Sequence, residues 1–261
     1  MFYYEEIGEG KPIVLIHGLG CDMRLMKSCM EHIFENVIGY KRIYIDLLGM
    51  GRSDAPLEYA TADKMLEALV EFIKEKINDN FLLVGQSYGG YLARGVLSKM
   101  TDKVDGMMLL CPVIVADKKM RNVPKVNFKI WNNEFLGNLA SDERADFCEF
   151  AVVADENTYE KYCEGVLPGI QLANKEFINL LVNNYEFGFD VDAIIAETFE
   201  KPSLIICGRQ DDCVGYEDAW RLARTYSRAS FAVLDVGGHN LQIEQPILFE
   251  ELMKDWLGRC S

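Results

Sequence analysis

With 261 residues, 49% of them apolar and 26% charged, the chain has globular rather than disordered composition, and it can bury a sizeable core. That length fits one large α/β domain, or a core carrying an insertion, better than two independent domains. A formal net charge of −14 argues against nucleic acid and anionic membrane surfaces as partners, because both would repel it.

The chain opens Met1-Phe2-Tyr3-Tyr4-Glu5-Glu6, without the basic stretch and apolar run of a signal peptide, and no apolar run reaches bilayer-spanning length. A soluble, cytoplasmic protein is expected, monomeric or homodimeric. Short apolar or β-branched runs then alternate with helical patterns, which predicts βαβ units and a mostly parallel sheet with helices on both faces. Ile13–Ile16, Arg42–Ile45, Phe81–Val84 and Val104–Leu110 read as the first four core strands, and Ser203–Cys207 and Phe231–Leu234 as two more. Thr61 is placed to cap a helix whose apolar stripe runs Met65, Leu66, Leu69, Phe72, Ile73 and Ile77. Tyr91, Leu92, Val96, Leu97 and Met100 mark a second helix, and a last one starts near Pro246 and stops at Gly258. The stretch 113–199 breaks this rhythm: it lacks strong strand runs, is rich in acidic residues and carries aromatics such as Phe128, Trp131, Phe135, Phe147 and Phe150. It reads as a helical insertion, leaving 1–112 and 200–261 as the α/β core.

The eight cysteines, at 21, 29, 111, 148, 163, 207, 213 and 260, form no C-x-x-C pair and no zinc-ligand spacing with histidine. Cys111 and Cys207 fall in strand-like runs, where a free thiol packs as a small hydrophobe. No metal or cofactor is implied.

The sharpest local signal is Gly85-Gln86-Ser87-Tyr88-Gly89-Gly90, between a predicted strand and a predicted helix. In that context G-x-S-x-G makes a strained turn that thrusts the serine hydroxyl outward, and side chains at Gly85 or Gly89 would collide with their neighbours. The helix N-terminus then points free N–H groups at a developing oxyanion. A serine hydroxyl needs a base, and there are three histidines. His17 ends a buried strand and His32 lies in a polar helical segment. His239 follows Gly237-Gly238 in a loop beyond the last strand, where a ring can project over the sheet. The base needs a carboxylate partner. Asp211 and Asp212 follow the strand 203–207, and the Gly-x-x-Asp spacing from Gly208 selects Asp211. Asp117, beyond the strand ending near Cys111, is the rival position.

The order Ser87, Asp211, His239 resembles the α/β-hydrolase family, and the resemblance covers nearly the whole chain. His17-Gly18-Leu19-Gly20 is similar to the family's oxyanion loop, which implies the backbone N–H groups of Leu19 and Tyr88 as oxyanion donors. Asp46-Leu47-Leu48-Gly49-Met50-Gly51-Arg52-Ser53 resembles a loop that follows the next strand, with Asp46, Arg52 and Ser53 pinning it rather than acting in chemistry. Gly237-Gly238-His239 and Glu244-Gln245-Pro246 are like the family's His loop and final helix. The resemblance also implies that 113–199 is a cap over the active site, with aromatics such as Phe128 and Trp131 as candidate substrate contacts.

The expected activity is that of a serine hydrolase, a carboxylic-ester hydrolase working through an acyl-enzyme on a small or medium apolar molecule. A serine at the elbow disfavours alkyl-enzyme dehalogenation. The absence of Gly-Gly-Pro-Gly after His17 weakens a proline iminopeptidase reading. A carbon–carbon bond hydrolase of the meta-cleavage type uses the same triad, and polar or basic side chains in the cap, for a dianionic substrate, would favour it. A receptor-like binding protein on the same fold is the alternative of another class.

Overall fold

A computed structural model of the protein describes residues 1–125, 128–195 and 199–260. In chain order the first half of the core is β1 (Tyr4–Ile7), β2 (Lys11–Ile16), α1 (Met23–Phe34), β3 (Tyr40–Ile45), α2 (Ala62–Lys76), β4 (Phe81–Gln86), α3 (Tyr88–Lys99) and β5 (Val104–Leu110). A long segment follows, with β6 (Ile130–Trp131), α4 (Asn133–Gly137), α5 (Ser141–Phe150), β7 (Val153–Ala154), α6 (Glu156–Gly165), α7 (Leu167–Leu172), α8 (Lys175–Asn183) and α9 (Val191–Ile195). The chain returns to the sheet with β8 (Ser203–Gly208), α10 (Glu217–Ala223), β9 (Ala229–Leu234), α11 (Leu241–Glu244) and α12 (Pro246–Arg259).

The main sheet has seven strands in the order β1-β3-β2-β4-β5-β8-β9. All its pairings are parallel except β1 with β3, which is antiparallel. β2, β4 and β8 are buried almost throughout, as strands covered on both faces must be. The six expected strands are all present; β1 is the addition, a half-exposed edge strand. Thr61 caps α2 by accepting from the Lys64 N–H at 3.2 Å. α12 seats the end of the chain through Trp256, which is fully buried and donates from Nε1 to the Pro202 carbonyl at 3.1 Å. The segment holding His32 is amphipathic rather than merely polar: α1 buries Met23, Leu25, Met26, Met30 and Ile33, with His32 on its exposed side.

The segment between β5 and β8 is mostly helical, but it also holds a two-residue parallel ladder, β6 with β7. Of the expected insertion 113–199, residues 126–127 and 196–198 lie outside the described residues. Its α6 and α7 pack on α1, and its α9 on α3. Packing is close. A Cβ on Gly165 would stand 2.5 Å from Ser28 Oγ, and one on Gly169 2.5 Å from the Asp22 amide nitrogen. α9 is tied down by a buried arginine on α3. Arg94 donates from Nε to Asp192 Oδ1 at 3.0 Å, pairs through Nη2 with Asp192 Oδ2, and reaches the Val113 and Ile114 carbonyls from Nη1. Among the described residues, no helix is long and apolar enough to cross a membrane.

Arg94→Met keeps the apolar stem but strands Asp192 and two carbonyls. It should lower stability by about 1–3 kcal/mol in denaturant unfolding; an unchanged midpoint and slope would show that α9 is held elsewhere.

Candidate active site

β4 ends at Gln86 and α3 begins at Tyr88, so Ser87 alone makes the reversal. Its φ of +52° and ψ of −115° lie outside the regions open to most L-residues, a strain of about 1–3 kcal/mol. Two glycines permit the turn. A Cβ on Gly85 would stand 2.3 Å from the Gly89 carbonyl oxygen, and one on Gly89 2.2 Å from that of Ile16. The strained residue is held by its backbone: its N–H donates to the Leu110 carbonyl and its own carbonyl accepts from Val113, both at 3.0 Å.

His239 enters from the loop after β9. Its Nε2 lies 2.9 Å from Ser87 Oγ and its Nδ1 2.9 Å from Asp211 Oδ2. Asp211 is fully buried, and its other oxygen accepts the N–H groups of Cys213 at 2.9 Å and Val214 at 3.0 Å. With the Asp211 carboxylate at Nδ1, that nitrogen carries the proton and Nε2 is free to accept from the serine. Burial pushes the imidazole pKa down, but the Asp211 charge and hydrogen bond outweigh it, so the ring sits above its ordinary value. Such a group can take a proton from Ser87 Oγ and hold the resulting cation.

The rival carboxylates stand apart. Asp212 is exposed, and Asp117 caps a short turn at Lys118–Met120 by accepting from the Lys119 N–H at 2.9 Å. His17 is fully buried with a lowered pKa, chiefly from burial against the pull of Asp46. Its Nδ1 donates to the Gly18 carbonyl at 2.8 Å and its Nε2 accepts from the Leu47 N–H at 3.0 Å. It therefore ties the Gly18–Gly20 loop to the loop after β3. In that second loop Asp46 accepts from Met23 and Arg52 N–H groups at 2.8 and 2.9 Å, and Ser53 Oγ donates to the Asp46 carbonyl at 2.5 Å. Among the described residues, the Leu19 and Tyr88 N–H groups donate to no protein acceptor.

Ser87 and His239 open into a cleft of about 1040 Å³. Its apolar wall comes mostly from residues between β5 and β8, among them Val113, Phe150, Val166, Ile170, Val182 and Tyr185, with Leu19, Leu25 and Val214 from the rest of the chain. Phe128 and Trp131 are not brought there. Both are exposed on the outer surface, Trp131 in the β6 ladder with Lys129 Nζ 5.0 Å from its ring. Phe128 precedes the β6 ladder, and both ladder residues, Ile130 and Trp131, are exposed, whereas Phe135 and Phe147 pack with Tyr159.

Two further residues had no predicted part in the site itself. Cys111, fully buried at φ +41°, places its thiol within 4.8 Å of the Asp211 and His239 ligand atoms. Both ring nitrogens of His239 are already engaged, and burial holds the thiol pKa well up, so the trio does not fit a resident metal. Glu244 is the second. Its Oε2 accepts from Gly238 N–H, and its Oε1 accepts from Val152 N–H, each at 2.6 Å. Oε1 also accepts from Val153 N–H at 3.2 Å. One carboxyl group thus joins the His239 loop to the segment that carries Phe150. Burial raises its pKa, against the three N–H donors that lower it.

Glu244→Gln turns an amide NH2 toward a backbone N–H, so one buried donor loses its acceptor. Stability should fall by about 1–3 kcal/mol in thermal or denaturant unfolding. A variant as stable as the parent would mean that the loop is held without this carboxylate.

The sequence profile of the alpha/beta hydrolase fold matches residues 11–246. The chain is 35% identical to an alpha/beta superfamily hydrolase from Oenococcus oeni PSU-1, with a TM-score of 0.92 over 99% of this chain and 96% of that one. It shares its fold with an esterase from Exiguobacterium antarcticum, at 19% identity and a TM-score of 0.74 over 98% and 95% of the two chains. A 2-hydroxy-6-oxo-6-(2'-aminophenyl)hexa-2,4-dienoic acid hydrolase from Metapseudomonas resinovorans is 25% identical over 275 aligned residues, 98% of this chain and 87% of that protein. The chain belongs to the α/β-hydrolase family.

Proposed function

We propose that this protein is a serine hydrolase that cleaves carboxylic esters through an acyl-enzyme, with Ser87 as nucleophile, His239 as general base and Asp211 orienting the base. The observation that carries this reading is the unbroken hydrogen-bond chain from Asp211 through His239 to Ser87, each link 2.9 Å. Ser87 Oγ adds to the ester carbonyl carbon as its proton passes to His239 Nε2. The Leu19 and Tyr88 N–H groups receive the oxygen that gains charge. Collapse expels the alcohol, which takes the proton from the imidazolium. Water then gives a proton to Nε2 and adds to the acyl carbon, releasing the acid and returning the proton to Ser87.

Residues 113–199 are assigned as the cap and 1–112 with 200–261 as the hydrolase core, since most of the apolar cleft wall comes from the former. A small or medium apolar acyl or alcohol group suits that wall. The eight cysteines, all unpaired, suit a cytoplasmic setting. Cleavage of a carbon–carbon bond by the same triad is the second reading. It is favoured by full-length similarity to hydrolases whose names specify hydroxy-oxo-dienoate substrates.

The test is a panel of p-nitrophenyl and natural esters of graded chain length beside carbon–carbon hydrolase substrates, with wild type and Ser87→Ala. Wild type should turn over esters and be labelled by a fluorophosphonate, and Ser87→Ala should lose about 10⁴–10⁶-fold in kcat while staying folded. A folded Ser87→Ala protein with full activity overturns the reading. Labelling without turnover points to a binding protein.

The raised imidazole pKa gives a second expectation. Neutral His239 is the active form, so kcat/KM should fall as pH drops through a value above that of free histidine. Asp211→Asn removes the charge that raises it, leaving burial, so the acid limb should move to lower pH while kcat falls by about 10⁴-fold. A limb that stays in place would assign the titration to another group.

A further inference from the structure

One wall of the cleft carries an arginine bonded differently from the other packed arginines. Arg24, Arg42 and Arg94 each meet a carboxylate, from Asp22, Glu31 and Asp192 respectively. Arg121 meets none among the described residues. Its Nε donates to the Val115 carbonyl at 2.8 Å, Nη1 to the Cys213 carbonyl at 3.1 Å and Nη2 to the Ala116 carbonyl at 3.1 Å. Neutral acceptors hold the guanidinium in place without cancelling its charge, and two terminal N–H groups remain beyond these three bonds, shared with the neighbouring Tyr185 hydroxyl. The adjoining backbone is equally fixed. Asn122 donates from its N–H and its Nδ2 to buried Asp218 at 2.9 and 2.7 Å, and a Cβ on Gly215 would stand 2.0 Å from the Asn122 carbonyl.

The charge reaches the chemistry. Arg121 lowers the His239 pKa against the stronger effect of Asp211, and it opposes the upward push of burial on Tyr185, whose hydroxyl it meets. Lys118 and Lys119 line the same cleft from its exposed part. The acidic side chains there are Asp117, engaged with the Lys119 N–H, and Glu186. In a chain of net charge −14, a fixed and uncancelled guanidinium in the cleft stands out. A partly desolvated charge is unfavourable until an anion meets it.

We propose that Arg121, with the Tyr185 hydroxyl, is a carboxylate-binding site, and that the substrate carries a carboxylate in addition to the bond that is cleaved. The planar fork of a guanidinium matches a carboxylate, and the lysines draw the anion toward the cleft. The assignment rests on the hydrolase reading, but it holds for an ester or a carbon–carbon bond alike.

The experiment uses matched pairs: p-nitrophenyl hemiglutarate against p-nitrophenyl pentanoate for an acyl-side carboxylate, and 3-carboxyphenyl butyrate against phenyl butyrate for the alcohol side. Wild type should prefer the carboxylated member of at least one pair, by kcat/KM, about tenfold or more, and Arg121→Gln should reduce that ratio about 10–100-fold. The ratio is read because absolute rates also respond to any shift of the Cys213 loop. No preference in either pair overturns the assignment without any variant, and so does a ratio unchanged in a folded Arg121→Gln protein. If wild type neither labels with fluorophosphonate nor turns over any substrate, the hydrolase reading is what has failed. Calorimetry of glutarate with Ser87→Ala, alone and combined with Arg121→Gln, then decides the binding site: weakening of about tenfold or more supports it, and equal or absent binding overturns it.

Discussion

Backbone must meet backbone where β4 turns into α3, and the rest of the site hangs on that approach. Gly89 lies against the Ile16 and His17 carbonyls, and Gly85 against Gly89, at separations that leave no room for a Cβ. The helix can therefore start directly at the strand end, with Ser87 at positive φ and its hydroxyl projecting away from the sheet. The same contact brings the end of β2 alongside the start of α3, so the Gly18–Gly20 loop borders the serine. His17 holds that loop as a neutral, buried bridge between the Gly18 carbonyl and the Leu47 N–H. One steric condition thus sets both the exposed position of the Ser87 hydroxyl and the loop beside it.

The loop that presents His239 is supported by two buried carboxylates with different tasks. Asp211 meets the ring itself and spends its second oxygen on the Cys213 and Val214 N–H groups. Glu244 meets the backbone just before the ring, at Gly238, and spends its second oxygen on Val152 and Val153. Backbone N–H donors keep both groups satisfied where water is scarce, the condition for burying a carboxylate at all. Because Glu244 joins the histidine loop to the segment next to Phe150, the cleft wall and the His239 loop share one support.

What was legible in the sequence follows from how locally each feature is encoded. Strands buried on both faces announce themselves as apolar runs, which is why β2 to β5 and β8 were visible; β9, a half-buried edge strand, was visible from the apolar run Phe231–Leu234 alone. β1 was not, because Tyr4-Glu5-Glu6-Ile7 is a half-exposed edge with a polar face. Ser87, His239 and Asp211 were legible because each stands by glycines that the chain needs for tight turns; Gly208, for one, faces the Gly237 and Gly238 carbonyls, 2.4 Å from where its Cβ would be. The cleft wall obeys no such rule. Val166, Ile170 and Val182 are ordinary aliphatics of short helices, and nothing in their spacing separates them from Phe128 or Trp131, which face outward. The setting of Arg121 was illegible for the same reason, since one of the three carbonyls that fix it belongs to Cys213, 92 residues away.

That Asp211 and not Asp117 meets His239 also has a physical explanation. After β8 the chain turns at once, so Asp211 stays fully buried beneath His239. After β5 the chain leaves for the long insertion, and its first carboxylate, Asp117, has already been carried to an exposed turn where capping Lys119 is what it can do. The residue that does remain by the sheet end is Cys111, buried within 4.8 Å of Asp211 and His239. A carboxylate there would put two like charges around one imidazole with too few N–H donors to satisfy both, and one of them would be driven to the neutral form. A thiol whose pKa burial holds well up stays neutral, fills the space, and points its weak donor at the Gly238 carbonyl, 3.5 Å away. Neutrality at 111 is thus the complement of the charge at 211.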